Sequence, residues 1–384
     1  MTEQLKKDLQ DIRYDPADYE AVNLPAMGKN NGITLYDMIG LDYDDPKWDD
    51  LLDNLTFDEM NTLIGDAFHW TMPVKSIEAP GTRDENGPQG LTASLLGSGA
   101  TQLTATAFTS EDVMAATFNT DLMTAVGTII GNNCLSANIA CLYGPGNNIH
   151  RTPYGGRNFE YYSEDGILTG LIDARETVGI QSKGVYVYNK HFVLNDQENN
   201  RAGIGTWCNE QALREIYLRA FELPIIQADA QCVMTAFNRL GAIWAGAYTE
   251  LLTDWLRGEA GMSGFAVTDM YDGTYMVKVN EIVAGNDLPD NFVGEDISEL
   301  KDYGPDGAKA NPMVAQALRT SAKRVLNTVV NSRGMDGISQ YTRVVREATW
   351  WQLTLNIAQW ALGALTAVAF VLVVLDGKKK GAKK

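Results

Sequence analysis

Cysteine is scarce, with four in 384 residues. Cys134, Cys141, Cys208 and Cys232 fall at no metal-ligand spacing and each neighbours apolar residues, so they read as small buried hydrophobes and indicate neither a metal site nor a disulfide framework. Positive charge is also short: 31 Lys and Arg against 49 Asp and Glu leave a net charge of −18. A nucleic-acid backbone would be repelled rather than neutralised, which excludes that class of partner. Much of the surplus acid lies early, in Asp42, Asp44, Asp45, Asp49, Asp50 and Asp53, and reads as a solvated surface with a calcium site as the alternative. Met1 to Gln10 contains no apolar stretch able to act as a secretory signal. No glycine fingerprint opens a helix for a dinucleotide, and no short repeat recurs.

What is present is the composition of a globular protein, 45% hydrophobic and 21% charged, with enough apolar side chain for a large core. Residues 1–50 are polar and acidic and are expected to form a leader or linker. From 51 to 335, short apolar runs alternate with amphipathic helical stretches, the signature of βα units around a parallel sheet. The strand candidates are Ala137–Leu142, Val185–Tyr188, Cys232–Thr235 and Phe265–Thr268. Ser110 is placed to cap a helix carrying Val113, Phe118, Leu122 and Val126, and Glu210–Glu222 and Leu251–Leu256 supply further apolar stripes. Polar groups follow each strand: a glycine-rich loop reaching Arg157, then Asn189-Lys190-His191, Phe237-Asn238-Arg239, and Asp269. In a closed (β/α)8 barrel those ends form one face, where catalytic groups meet; a doubly wound sheet would also gather ligands at strand ends.

Asp269 directly follows a buried-strand pattern in GFAVTDMYDG, which suits a nucleophile held rigidly at a strand end. Taken alone, an aspartate there more often caps the next segment. Five stretches argue otherwise: GPGNNIHRTPYGGRNFEYYSED (144–165), NKHFVLNDQENNR (189–201), NEQALREIYLRAFE (209–222), MTAFNRLGAIWAG (234–246) and LRGEAGMSGFAVTD (256–269). In order and spacing they resemble glycoside hydrolase family 3. The resemblance implies a (β/α)8 TIM-type barrel over 51–335, with Asp269 as nucleophile of a retaining, exo-acting β-glycosidase, most simply a β-glucosidase. It further implies that Arg157, Lys190 and His191 bind the sugar next to the scissile bond, without cofactor or metal. Glu160 is expected to brace Arg157. Asp196, Glu198 and Arg201 are expected to pair within a rim loop, His69 and His150 to be structural, and one of Trp70, Trp207 and Trp244 to stack on a sugar.

Two positions depart from the family pattern. Asn86 stands where an aspartate usually binds outer sugar hydroxyls, and Phe237 replaces a tyrosine often found beside the nucleophile. Asn86 remains a candidate substrate-binding residue, but as an amide it loses the charge-assisted acceptor. A retaining reaction also needs a carboxylic acid about 5 Å from the nucleophile, and no residue here is a convincing one. In the family the acid/base commonly comes from an α/β sandwich domain; the order seen here resembles members in which that domain precedes the barrel, so a sandwich or other upstream polypeptide is an expected partner.

Leu353–Leu375 is almost continuously apolar and long enough to cross a bilayer core of roughly 30 Å. Trp350, Trp351 and Trp360 lie towards one end, and Lys378, Lys379, Lys380, Lys383 and Lys384 cluster at the other. Residues 336–352 are then a juxtamembrane linker, 353–375 a single transmembrane helix and 376–384 a cytoplasmic tail, which places the globular part outside the cell and its oligosaccharide or β-glucoside substrate with it. Tail anchoring with a cytoplasmic domain is the competing topology. Against the enzyme stand a non-catalytic, membrane-anchored carbohydrate-binding barrel and a membrane scaffold; the nucleophile speaks against the first and the sugar-binding set against the second.

Overall fold

The computed structural model describes residues 2–3, 22–92, 105–291, 298–335 and 349–381, and the chain divides into two units, Met1–Gln340 and Tyr341–Lys384. The strands of the first are β1 (Trp70–Thr71), β2 (Thr82–Asn86), β3 (Cys141–Tyr143), β4 (Tyr186–Phe192), β5 (Gly205–Thr206), β6 (Cys232–Thr235), β7 (Arg239–Leu240), β8 (Ile243–Trp244) and β9 (Ala266–Thr268). A six-stranded sheet runs β1-β2-β3-β4-β6-β9, while β5, β7 and β8 pair separately. In the large sheet only β1 and β2 are antiparallel. Two helices, α1 (Lys47–Leu52) and α2 (Phe57–Gly65), precede the sheet; its parallel strands are joined by crossovers that include α3 (Glu111–Ala115), α4 (Thr120–Ala137), α5 (Gly166–Gln181) and α6 (Arg219–Ala228), and α7 (Lys278–Ala284) and α8 (Pro312–Val330) follow its last strand.

Alternation along the strands divides their side chains between two faces. Cys141, Tyr143, Tyr186, Tyr188, Cys232, Met234, Phe265 and Val267 join one buried cluster, whereas Leu142, Val185, Val187, Val233 and Ala266 join another. The second cluster also holds Ile130, Ile172 and Phe221, so it is the face that α4, α5 and α6 cover. On the first face the rings pack against each other, Tyr143 on Tyr188 at 4.8 Å and Tyr188 on Phe265 at 5.5 Å.

The sheet curls so that its ends are linked through irregular chain. Val267 bridges Leu288 in parallel, and Asn291 N donates to Ala67 O at 2.9 Å just ahead of β1. Among the described residues the large sheet therefore has six paired strands where eight were expected; segments 67–69 and 287–291 occupy the remaining stretch. Pro289 gives one reason, since it has no N–H to continue a ladder.

Two further expectations change. Leu35, Met38 and Trp48 are fully buried in the main core, so a boundary at residue 51 falls inside the packed unit. Asp53 is also not merely solvated: it accepts from Arg319 of α8 at 2.9 Å and from Lys29 at 2.7 Å. The helix expected after Ser110 breaks at Phe118, which has φ 51° and is 73% exposed. Asn119 then starts α4 by accepting Leu122 N at 3.0 Å, a better cap than a continuing turn.

In the second unit, α9 (Trp350–Gly381) contains Trp350–Leu375, with a mean hydropathy of 2.2 and none of it buried. By length and composition it can cross a membrane.

Candidate active site

Asn86, Tyr143, Lys190, Met234 and Asp269 lie at or just past the strand ends with the parity of the inward-facing residues Asp84, Cys141, Tyr188, Cys232 and Val267. They line one cavity of about 580 Å³, joined by Phe68, His69, Arg157, His191, Glu198, Arg201, Met270 and Asp290. The sequence-based candidates Asn86, Arg157, Lys190, His191 and Asp269 are thus all brought together. Among the described residues no group of three metal-ligating side chains forms.

Arg157 reaches the cavity from the loop after β3 and is held by Glu160, with Nε to Oε2 at 2.8 Å and Nη2 to Oε1 at 2.7 Å. The same Glu160 Oε1 takes Lys190 Nζ at 2.9 Å. Burial alone would raise the Glu160 carboxyl, but Lys190 and Arg157 outweigh it and bring it down to about 2. Glu160 therefore braces Arg157, as the sequence suggested, and also fixes Lys190, which the sequence did not show.

His191 lies next in this network. Burial, with Arg157 and Lys190 beside it, holds its imidazole well below the usual range, so it is neutral. Arg157 Nη2 can only donate, and it lies 3.0 Å from His191 Nε2. Nε2 is therefore the acceptor and Nδ1 carries the hydrogen, directed at Asn148 Oδ1 at 3.3 Å, with Tyr161 OH 3.2 Å away. The 3.6 Å separation of His191 Nε2 from Asp269 Oδ2 is consequently not an ion pair.

Asp269 is anchored by its own N–H to Thr235 O at 3.0 Å, and its Oδ1 accepts Met270 N at 2.8 Å. Its Oδ2 is buried without a hydrogen-bond partner. Burial raises this carboxyl above its ordinary value, while Arg157, Arg201 and the Met270 N–H pull the other way. A buried carboxylate with one bare oxygen, next to cations fixed by a different acid, is equipped to attack an electrophilic carbon.

In the rim loop Arg201 Nη1 pairs with Glu198 Oε2 at 3.1 Å as expected, but Asp196 takes no part in that pairing, and Glu198 and Arg201 also line the cavity. Phe237 does not line it; its ring lies beneath Arg201, 4.6 Å from the guanidinium. His150 is structural, with Nε2 against the carbonyls of Asn158 and Tyr161 at 2.9 and 2.8 Å. His69, expected to be structural, lies on the cavity wall, stacked on Tyr143 at 4.5 Å. None of Trp70, Trp207 and Trp244 lines the cavity: Trp244 is buried with Nε1 on Ala236 O at 2.9 Å, and Trp207 borders a separate groove of about 350 Å³. Asp290, Tyr143 and His69 were missed as site residues. Tyr143 was open to the parity argument, but the register of Asp290 follows only from the Val267–Leu288 bridge.

Residues 91–285 match the model of the glycosyl hydrolase family 3 N-terminal domain. A β-glucosidase of Ruminococcus albus is 44% identical over 159 residues, covering 41% of this chain and 17% of that protein. A probable β-glucosidase I of Aspergillus flavus is 35% identical over 238 residues, 62% of this chain and 28% of that one. Among solved structures, β-glucosidase 3B of Thermotoga neapolitana in complex with glycerol superposes with a TM-score of 0.68 at 32% identity, over 77% of this chain and 44% of that chain. A β-glucosidase of Paenibacillus barengoltzii gives 0.70 at 26% identity, over 90% and 38%. The chain thus spans less than half the length of each of these relatives.

Proposed function

The chain belongs to glycosyl hydrolase family 3, and from that premise we propose that it is the nucleophile-bearing part of a retaining, exo-acting β-glucosidase. Asp269 attacks the anomeric carbon of a terminal sugar to form a glycosyl-enzyme, which water then releases. The observation that carries the reading is the bare, buried Oδ2 of Asp269 facing the cavity beside Arg157, Lys190 and His191. In this reading Glu160 holds Arg157 and Lys190 so that their remaining N–H groups meet sugar hydroxyls, and Asn86 binds from the β2 end. The curled sheet is taken as a (β/α)8 barrel closed through segments 67–69 and 287–291. The acid/base is assigned to an α/β sandwich domain or other upstream polypeptide, because the cavity carboxylates nearest the rim are committed, as Glu198 is to Arg201. Residues 353–375 are taken to span the cell membrane once, with the globular unit outside and the basic tail in the cytoplasm.

The test is covalent trapping. Activated 2-deoxy-2-fluoro glycosides need little acid assistance to leave, so the full chain should become labelled at Asp269, read by intact mass and peptide mapping. Absence of label with several sugars, alongside measurable saccharide binding, would replace this reading with a non-catalytic carbohydrate-binding barrel.

A further inference from the structure

Asp269 is not alone on its side of the cavity. Val267 and Leu288 are bridge partners in parallel register, and Asp269 and Asp290 each stand two residues further on, where alternation returns side chains to the same face. Both backbones are pinned next to one another: Asp290 N donates to Thr268 Oγ1 at 2.9 Å, and Tyr271 N donates to Asp290 O at 3.0 Å. The two carboxyl groups line the same cavity, close enough for the charge of Asp269 to act on Asp290, and neighbouring like charges do not both ionise without cost.

The surroundings decide which keeps the proton. Asp269 faces Arg157, Arg201 and Lys190. Asp290 faces Asp269 and Asp84, with Tyr143 OH and His69 N as its donors, and burial together with those two acids holds it well above the carboxylate range. Its Oδ1 accepts Tyr143 OH at 3.2 Å and His69 N at 3.3 Å. Among the described residues nothing is bonded to Oδ2, and Asp290 lines the cavity.

We propose that Asp290 is a sugar-binding residue of this site, a second carboxyl group whose free oxygen donates a hydrogen bond to a hydroxyl of the ring held against Asp269. The assignment rests on reading the cavity as a glycosidase site. It is an orienting role rather than that of the leaving-group acid, because Asp290 is 1% exposed against 7% for Asp269 and so lies towards the enclosed end, away from the mouth through which the aglycone departs.

Labelling by a 2-deoxy-2-fluoro glucoside tests this with the full chain and its Asp290→Asn and Asp290→Leu variants. Asn keeps both the acceptor and a donor, and should label within a few-fold of the parent; Leu should label roughly tenfold to a hundredfold more slowly, equally with good and moderate leaving groups. A pH series adds a readout that a packing role would not move. The parent should lose labelling efficiency on the alkaline side as Asp290 ionises beside Asp269, and Asp290→Asn should lack that limb. His69, pushed down to about 4 by burial, and Tyr143, pushed far above its usual range, cannot produce it, and Asp84, raised to about 7 and also facing Asp290, is present in parent and variant alike, so the part of the limb that Asp290→Asn removes belongs to Asp290. If Asp290→Leu does not fold, the comparison of parent and Asn variant decides. Equal rates for all three, or coincident pH profiles, overturn the proposal while leaving Asp269 in place; a parent that takes no label overturns the glycosidase reading and this inference together.

Discussion

The cavity treats carboxyl groups in opposite ways on its two sides. On the side of the loop after β3, Glu160 is saturated by Arg157 and Lys190 and brought down to about 2. On the side of β9, Asp269 and Asp290 have free oxygens, and burial raises both. The contrast shows how one small space can hold fixed cations while a neighbouring carboxyl group keeps an oxygen free of them. Had Asp269 occupied the place of Glu160, it would be an ion-pair partner with no lone pair to spare. The cations are supplied with their own acid, and Asp269 is left unmatched.

The sharpest way to break the contrast is to remove the unmatched charge. Asp269→Asn keeps the shape, so the thermal midpoint should stay near that of the parent while glycoside labelling falls by on the order of 10⁴ or more, measured as the rate of mass increase. Next is the matched side. Glu160→Ala strands Arg157 and Lys190 in a largely buried place, and breaking such a pair costs about 3–5 kcal/mol, which urea unfolding will detect. Asp269→Ala should show no comparable loss of stability.

Acidity separates the regions further. Glu160 is depressed, so its stabilisation is present above about 4.5 and is lost as the pH falls through about 2. Asp84 and Asp173, raised to about 7, and Glu176, raised to about 8, are all fully buried and behave in the opposite sense. Burial is the main cause for each, and it outweighs donors such as Tyr188 OH to Asp84 at 2.9 Å and Tyr162 OH to Glu176 at 2.7 Å. They cost nothing while neutral, but their penalty grows as the pH rises from about 4 through 7 or 8. The thermal midpoint should therefore peak in the mildly acidic range and fall on both sides, and Asp173→Asn should flatten the alkaline slope. The smallest effect belongs to Asn86→Asp, which restores an ionic acceptor at the β2 end. It should improve glucoside labelling by a few-fold without moving the midpoint.

How far the sequence reveals this arrangement depends on regularity. Cys232–Thr235 reads as a strand and is one, and Phe265–Thr268 is a strand but for its first residue, because short β-branched and apolar runs fit a sheet buried on both faces. Asp269 follows from the end of the second run, and Lys190 from the Val185–Tyr188 run, whose strand extends through it to Phe192. Glu160 follows from its closeness to Arg157 in the chain. Asp290 does not, since NDLPDN shows no strand pattern and its register comes from tertiary pairing around Pro289. The packing of Leu35, Met38 and Trp48 was likewise hidden, because acidic neighbours masked three isolated apolar anchors. Phe118 read as part of a helical stripe because periodicity cannot show where a residue takes positive φ.

Phe237 shows what the loss of a hydroxyl can leave behind. Its carbonyl accepts Tyr275 OH at 2.8 Å, and its ring is a platform for Arg201, whose charge acts on Asp269. A tyrosine would offer a directional bond, which slackens when the carboxylate turns about its side-chain axis. A charge pulls according to distance rather than angle. In the proposed reaction Arg201 can then stay engaged with Asp269 as the carboxyl group turns, and dissolved salt weakens that pull little because Asp269 is buried.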